Sequence, residues 1–341
     1  MFNETVQTGY TRTLQVYDVP KFTSFTIPNV SITKEDNVVT AKIVGNNFDT
    51  PDVDLGNFEA TCSALGSIVA DTSFTRVSDS VLNATFTIPG TAGNYSVTVS
   101  YGTKSINGTL TAADYSTYHV GDVLLNDGTI VAYDADNLSF TDTQKSKAVG
   151  VMYGFNDYGA PLGWLGLYNS AGGTNSGYYW WAPSGTTGNN TTFTYIICTL
   201  SNTDSGASAT ATFTGDTDGS DNWAYICSID PDGTADAATN YPAFNYVNNY
   251  AATFGLTGDY ATGWYMPSLA ELCYIYRNKE LVNKVLNALV AIKLYNDRYS
   301  SSSQIAGDGH MDDAWTVDLS DGYVNYSHKS SIRRVCCVRA F

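Results

Sequence analysis

Charge is scarce in this chain, and basic charge is the scarcest. Only 15% of the 341 residues are charged, and 33 Asp and Glu face 17 Lys and Arg, a formal net charge of −16. A surface that acidic repels phosphate backbones and anionic headgroups, so nucleic acid is not expected as a partner. No run of 18 apolar residues occurs, so no membrane-spanning helix is predicted. The opening Met1-Phe2-Asn3-Glu4-Thr5 has no basic segment followed by an apolar core, so a signal segment is expected to be absent from this chain or already removed.

Groups that carry chemistry are scarce as well. There are three histidines, His119, His310 and His328, and no Gly-x-Ser-x-Gly elbow, so an enzyme is not expected. The six cysteines, at 62, 198, 227, 273, 336 and 337, form no Cys-x-x-Cys and have no histidine at zinc-ligand spacing. They read as small buried residues. Cys336 and Cys337 on one strand would point to opposite faces and not bridge. Asp216-Thr217-Asp218-Gly219-Ser220-Asp221 looks like half of a calcium loop but lacks the spacing and closing Glu of an EF-hand. No metal and no cofactor is predicted.

What is present is enough to fold. Apolar residues make up 43% and the length suits about two domains. Twenty-five tyrosines, with many Ser, Thr, Asn and Gly, give the composition of an exported β-rich bacterial surface protein. From residue 22 to 112 short strands recur at Val38–Val44, Ala84–Ile88 and Tyr95–Val99, punctuated by Gly, Asn and Pro, which predicts an all-β sandwich. Gly45-Asn46-Asn47-Phe48, Ile88-Pro89-Gly90 and Ala92-Gly93-Asn94-Tyr95 resemble the immunoglobulin-like IPT/TIG domain. That resemblance implies a spacer or adhesion module after an N-terminal segment of residues 1–21.

The pattern stops at Ala112-Ala113-Asp114-Tyr115-Ser116, a linker, and restarts at Tyr118. Residues 118–341 then show a hairpin around Asn126-Asp127-Gly128, a buried strand at Ala148–Tyr153, and aromatic runs at Gly163–Tyr168 and Tyr178–Trp181. A helix is expected over Pro242–Phe254. Ser268-Leu269-Ala270-Glu271 is a capping box opening another, and an apolar stripe continues through Leu281–Ile292. Helices beside an antiparallel sheet make an α+β domain. Gly263-Trp264-Tyr265-Met266-Pro267 with that helix resembles the Gly-Trp-Arg-Leu-Pro-Thr signature of bacterial C-type-lectin-like domains, with Tyr265 in place of the Arg.

The stretch from about 295 to 341 carries the functional reading. Trp315, Val317 and Leu319 alternate with Thr316, Asp318 and Ser320, one dry and one wet strand face. With Asp321-Gly322 as a two-residue turn, Leu319 would face Val324, Val317 Tyr326 and Trp315 His328; Thr316, Asp318, Tyr323, Asn325 and Ser327 would be wet. Residues 328–333 read as a loop, and Val335-Cys336-Cys337-Val338 as a strand covered on both faces.

Ser301-Ser302-Ser303-Gln304, Ala314-Trp315, Asp321-Gly322 and the terminal Arg334–Phe341 resemble the variable proteins of diversity-generating retroelements, such as the Treponema variable proteins. The resemblance implies a C-type-lectin fold of the formylglycine-generating-enzyme subtype. It also implies that Asn-type codons are rewritten by adenine miscopying, which never yields Lys, Glu or Trp. Tyr323, Asn325, Tyr326, Ser327, His328, Ser330, Ser331, Ile332 and Arg333 fit that menu; Lys329 and Trp315 do not and would be fixed.

A ligand-binding surface protein is therefore expected, its ligand an unknown protein or glycan. Its contacts are expected at Thr316, Asp318, Tyr323, Asn325, Ser327, His328, Ser330, Ser331, Ile332 and Arg333, with a second group at Asp308, Gly309 and His310. The alternatives are an oxidase resembling the formylglycine-generating enzyme and a purely structural surface protein.

Overall fold

Alternating burial builds the first hundred residues. The computed structural model describes residues 19–34, 38–62, 66–69, 71–168, 177–201, 206–207 and 210–341. Strands Lys21–Thr26, Val38–Asn46, Val81–Thr87 and Ser73–Arg76 form one four-stranded sheet, in that order. Strands Val30–Ser31, Lys104–Ala113, Gly93–Tyr101 and Phe58–Cys62 form a second. Val39, Ala41, Ile43, Leu82, Ala84 and Phe86 from the first meet Val97, Val99 and Leu110 from the second in a dry core. This is the expected sandwich, and its last strand ends at Ala113, where the sequence pattern stops.

The sandwich is bonded to the C-terminal part of the chain. Asn156 donates to the Asn29 carbonyl at 2.9 Å, Tyr195 to the Gly45 carbonyl at 2.7 Å, and the Tyr158 hydroxyl accepts from the Thr40 amide at 3.1 Å. Lys42 Nζ lies 2.7 Å from Asp216 Oδ1, whose side chain is fully buried. Burial opposes the Lys42 charge, but Asp216, with the field of Asp221 and Asp218, outweighs it and raises the pKa. The loop that looks like half of a calcium site thus turns a carboxylate to a lysine of this chain.

The rest is built on two six-stranded sheets. One runs Ile130–Val131, Val123–Leu125, Ala148–Phe155, Pro161–Gly166, Val338–Ala340, Trp264–Tyr265; the other runs Tyr178–Trp180, Ile332–Arg334, Arg298–Gln304, Asp313–Asp318, Tyr323–His328, Gly206–Ala207. The helix Leu269–Ala288 packs against strands of both. Its start is the expected capping box, with Ser268 Oγ accepting from the Glu271 amide and Glu271 Oε2 from the Ser268 amide. Glu271 is buried, and its other oxygen accepts from the hydroxyls of Tyr265 at 2.7 Å and Tyr153 at 3.2 Å. Where the lectin-like signature carries Arg, Tyr265 makes a hydrogen bond instead of an ion pair. Burial lifts the Glu271 carboxyl to about 7.

Three expectations change. The helix ends at Ala288, short of Ile292, with Val290 at φ 61°. The helix expected over Pro242–Phe254 is split at Asn249 into Pro242–Asn248 and Tyr250–Thr253. The apolar run Val335–Val338 is not one strand, because a strand of one sheet ends at Arg334 and a strand of the other begins at Val338. Its burial on both faces is as expected: Val335 and Cys337 enter one core, Cys336 and Val338 the other.

The buried pair gives a test. Lys42→Met alone leaves Asp216 buried beside an apolar chain and should cost about 3–5 kcal/mol in urea unfolding, with the Lys42→Met/Asp216→Leu double variant recovering most of it. A loss under ~1 kcal/mol for the single change would show that the pair does not hold the sandwich to the sheets.

Candidate functional site

The hairpin is organised by side chains that occupy the backbone near its turn. Val317 pairs with Val324, Thr316 with Asn325, Trp315 with Tyr326, Ala314 with Ser327 and Asp313 with His328. The register therefore differs by two residues from that of a two-residue Asp321-Gly322 turn. The cause is local. The Leu319 amide donates to the Asp297 carbonyl and its own carbonyl accepts from Lys279, so it is withdrawn from pairing with Val324. Asp318 Oδ1 accepts from the Ser320 amide and hydroxyl, Asp321 Oδ1 from the Tyr323 amide, and the Gly322 amide bonds to the Asp318 carbonyl. A slip by an even number leaves the strand faces unchanged.

Trp315, Val317, Leu319 and Val324 are accordingly buried, and Trp315 Nε1 donates to the Cys198 carbonyl at 2.7 Å. Tyr326 and His328, placed by the expected register against Val317 and Trp315, are exposed instead, since they lie toward the open end of the hairpin. Tyr326 meets Trp315 and His310 edge-on, at 6.2 and 4.8 Å between ring centres.

On the opposite face Thr316 is a correction. It is 2% exposed, its hydroxyl donating to the Asn325 carbonyl, because the flanking strands close over a short side chain. It is floor, not contact. Asp318, Asn325, Ser327 and Arg333 are half-buried around it and Tyr323 is exposed. Arg333 Nη2 donates to Ser327 Oγ at 2.9 Å. Ser330 and Ser331 lie half-buried in a turn. Ile332 and Arg333, expected in a loop, belong to a short strand, with exposed Ile332 opposite exposed Trp180.

Asp308 and Gly309 are exposed at a turn, Gly309 at φ 87°. His310 and His328 come together through two residues the sequence reading missed. His310 Nδ1 is 2.8 Å from Asp313 Oδ2, and His328 Nδ1 is 3.0 Å from Asp312 Oδ2 and 3.3 Å from Asp313 Oδ1. Ligand atoms of Asp312, Asp313 and His328 lie within 4.8 Å of one another, close enough to hold a metal. The imidazole–carboxylate bonds account for this grouping without one.

Lys329 ties this region down. It is 1% exposed; Nζ donates to the carbonyls of Gly188, Thr191 and Met311 at 3.0, 2.8 and 2.7 Å and lies over the rings of Trp181 and Phe193. Three acceptors match the three donors of an ammonium. Burial pulls its pKa down to about 7, against the favourable field of Asp312 and Asp313.

A cleft of about 510 Å³ lies elsewhere, between the sandwich and the Leu269–Ala288 helix, lined in part by Lys42, Tyr158, Asp218, Asp221, Glu271 and Tyr274. Concave sites are the usual place for small ligands. Here Lys42 is already paired with Asp216, and both Glu271 oxygens already accept hydrogen bonds.

No protein-family model and no curated protein sequence matches the chain. Among solved structures it is similar to the surface layer protein SbsC. Domains 1–6 match at 14% identity over 35% of this chain and 18% of that one, and domains 6–7 match at 14% over 42% and 65%, each with a TM-score of 0.20. The chain thus spans less than a fifth of the first of these. A TM-score that low carries no argument for fold or function.

Lys329 gives a pH test. Its folded pKa of about 7 lies below the ordinary 10.5, so between those values the unfolded chain binds more protons. Stability should therefore rise with pH across that window, being fully gained above 10.5 and lost as pH falls to 7. Urea unfolding at pH 7, 8 and 9 should show this slope in the wild type and a flatter one in Lys329→Met. Parallel slopes would mean that Lys329 folds with an ordinary pKa.

Proposed function

We propose that this chain is a ligand-binding protein of the bacterial cell surface, in which a C-type-lectin-like α+β scaffold carries a diversified face and an immunoglobulin-like sandwich precedes it. One observation carries the reading. The nine residues that the resemblance to variable proteins marks as exchangeable are all exposed or half-buried: Tyr323, Asn325, Tyr326, Ser327, His328, Ser330, Ser331, Ile332 and Arg333. The two it marks as fixed, Lys329 and Trp315, are 1% and 3% exposed. A buried Trp is ordinary in any fold, but a lysine 1% exposed among accessible neighbours is not, and the resemblance picks out that lysine as fixed.

The character of the face supports binding too. Of twelve large apolar side chains exposed among the described residues, six lie in or beside this sheet, on both of its sides: Trp180, Tyr295, Met311, Tyr323, Tyr326 and Ile332. Aromatic residues interleaved with Ser, Asn, Asp and Arg are what adaptable binding surfaces use. The oxidase alternative draws less support, since Cys336 and Cys337 are fully buried in different cores and burial pushes both thiols well up from their ordinary range. Low-pKa, accessible thiols are the reactive ones. Among the described residues no helix is long and apolar enough to cross a membrane.

The test combines Tyr323→Ala, Asn325→Ala, Ser330→Ala and Arg333→Ala in one variant. Its melt should stay close to that of the wild type, while binding to a partner recovered from a surface-protein screen should fall by about a hundredfold. Binding that persists on an intact fold would remove this face as the site. The flanking DNA supplies an independent check, since a near-copy of codons 295–341 beside a reverse-transcriptase gene, differing mainly at adenines, is expected.

A further inference from the structure

Arg298 belongs to no motif in the sequence, yet the topology sets it beside Arg333. The Arg298–Gln304 strand runs parallel to Ile332–Arg334 with Tyr299 level with Arg334, so the two residues before them, Arg298 and Arg333, are neighbours. Tyr299 is wholly buried in the core, and strand alternation sends Arg298 to the opposite face, where Ser300 and Thr316 form the floor.

The pair lacks what its neighbour has. Arg334 Nε is 3.0 Å from Asp297 Oδ2, and its guanidinium lies over the rings of Tyr178 and Tyr295. Among the described residues no carboxylate lies within ion-pairing distance of Arg298 or Arg333. Asp318 stands across the strand pair from Arg298, but its Oδ1 is taken by Ser320. Arg333 spends Nη1 on the Ile332 carbonyl and Nη2 on Ser327, while its Nε–H is buried with no acceptor. That Nε–H is closed to solvent, so an outside acceptor would meet the remaining Nη hydrogens of Arg333 and the guanidinium of Arg298. Burial, and then the like charge of Arg298, pull the Arg333 pKa down, with Asp297 opposing. An arriving anion would relieve both.

Resting on the reading of this face as a binding surface, we infer that its partner is a protein presenting a short acidic loop, and that Arg298 and Arg333 together hold a carboxylate of that loop. Guanidinium forks match carboxylates with two parallel hydrogen bonds each. A protein partner suits the surroundings, because exposed Tyr323 lies on the same side of the sheet as the pair and is the kind of aromatic anchor protein interfaces use. Charge sets the limit on that partner. With a net charge of −16 the chain repels a uniformly acidic body, so the complementary acid must be confined to a segment small enough to sit on the pair.

The probe is an otherwise neutral peptide carrying two adjacent glutamates, immobilised by one end and presented to the full chain at low ionic strength. Wild type should bind, and more weakly as salt is added. Arg298→Gln/Arg333→Gln should bind about tenfold less tightly or worse. Lys21→Gln/Lys104→Gln, which removes the same charge from the exposed edge of the sandwich, should bind like wild type. Arg298→Gln alone supplies the same comparison if the double variant does not fold. Absence of wild-type binding, or equal losses in the two double variants, would overturn the inference. Tighter binding to a digalacturonate than to the two-glutamate peptide would also overturn it, in favour of a carboxylated glycan. The underlying reading is separable: with a screened partner, loss in the four-alanine variant but full binding by Arg298→Gln would sink this inference and leave the binding face standing.

Discussion

Four consecutive buried residues, Val335 to Val338, are the constraint on which the C-terminal half depends. They carry the chain from one six-stranded sheet to the other, and alternate side chains fill two different cores. In a single strand, two-sided burial needs a layer on each face. Here the same alternation fastens two sheets together, with the strand ending at Arg334 in one and the strand beginning at Val338 in the other. Any side chain too large or too polar in this run would be felt in both cores at once. That fixes where Ile332 and Arg333 leave the core and so where the open face begins.

Lys329 completes the support from the other side. A lysine stem buried between Trp181 and Phe193, with its ammonium on three carbonyls, joins the 188–191 segment, Met311 and the turn after the hairpin. Desolvating an ammonium is costly, and the carbonyls and the nearby Asp312 and Asp313 offset only part of that cost. The gain is that a polar turn with few apolar contacts is held in one place. A face built from Tyr, Ser, Asn and His can then change composition without changing the backbone beneath it, which is what a rigid scaffold with an adaptable surface requires.

Much of this was legible in the sequence, and the reasons divide cleanly. Period-two alternation marked the sandwich strands and the buried Trp315, Val317 and Leu319, because burial on one strand face acts residue by residue. The Ser268–Glu271 box marked the long helix, because its bonds are local. The hairpin register was not legible: it turns on Asp297 and Lys279 taking the Leu319 backbone, groups 22 and 40 positions away in the chain. Thr316 was misassigned for a related reason, since its exposure is set by side chains on neighbouring strands. Arg298 carries no local motif, and strand pairing alone brings it beside Arg333 and brings His328 to Asp312 and Asp313, whereas His310 meets Asp313 within one turn.

The central claim is that folding and recognition are divided between residues a few positions apart. The most direct measurement randomises Asp308, Tyr323, Asn325, Ser327, Ser330, Ser331 and Ile332 together in displayed full-length chains and scores each clone for protease resistance. Trp315, Val317, Lys329, Val335 and Cys337 are randomised in a parallel library. Most clones of the first library should resist protease as the wild type does, and few of the second should. Equal losses in the two libraries would contradict the division and leave the face as ordinary surface required by the fold.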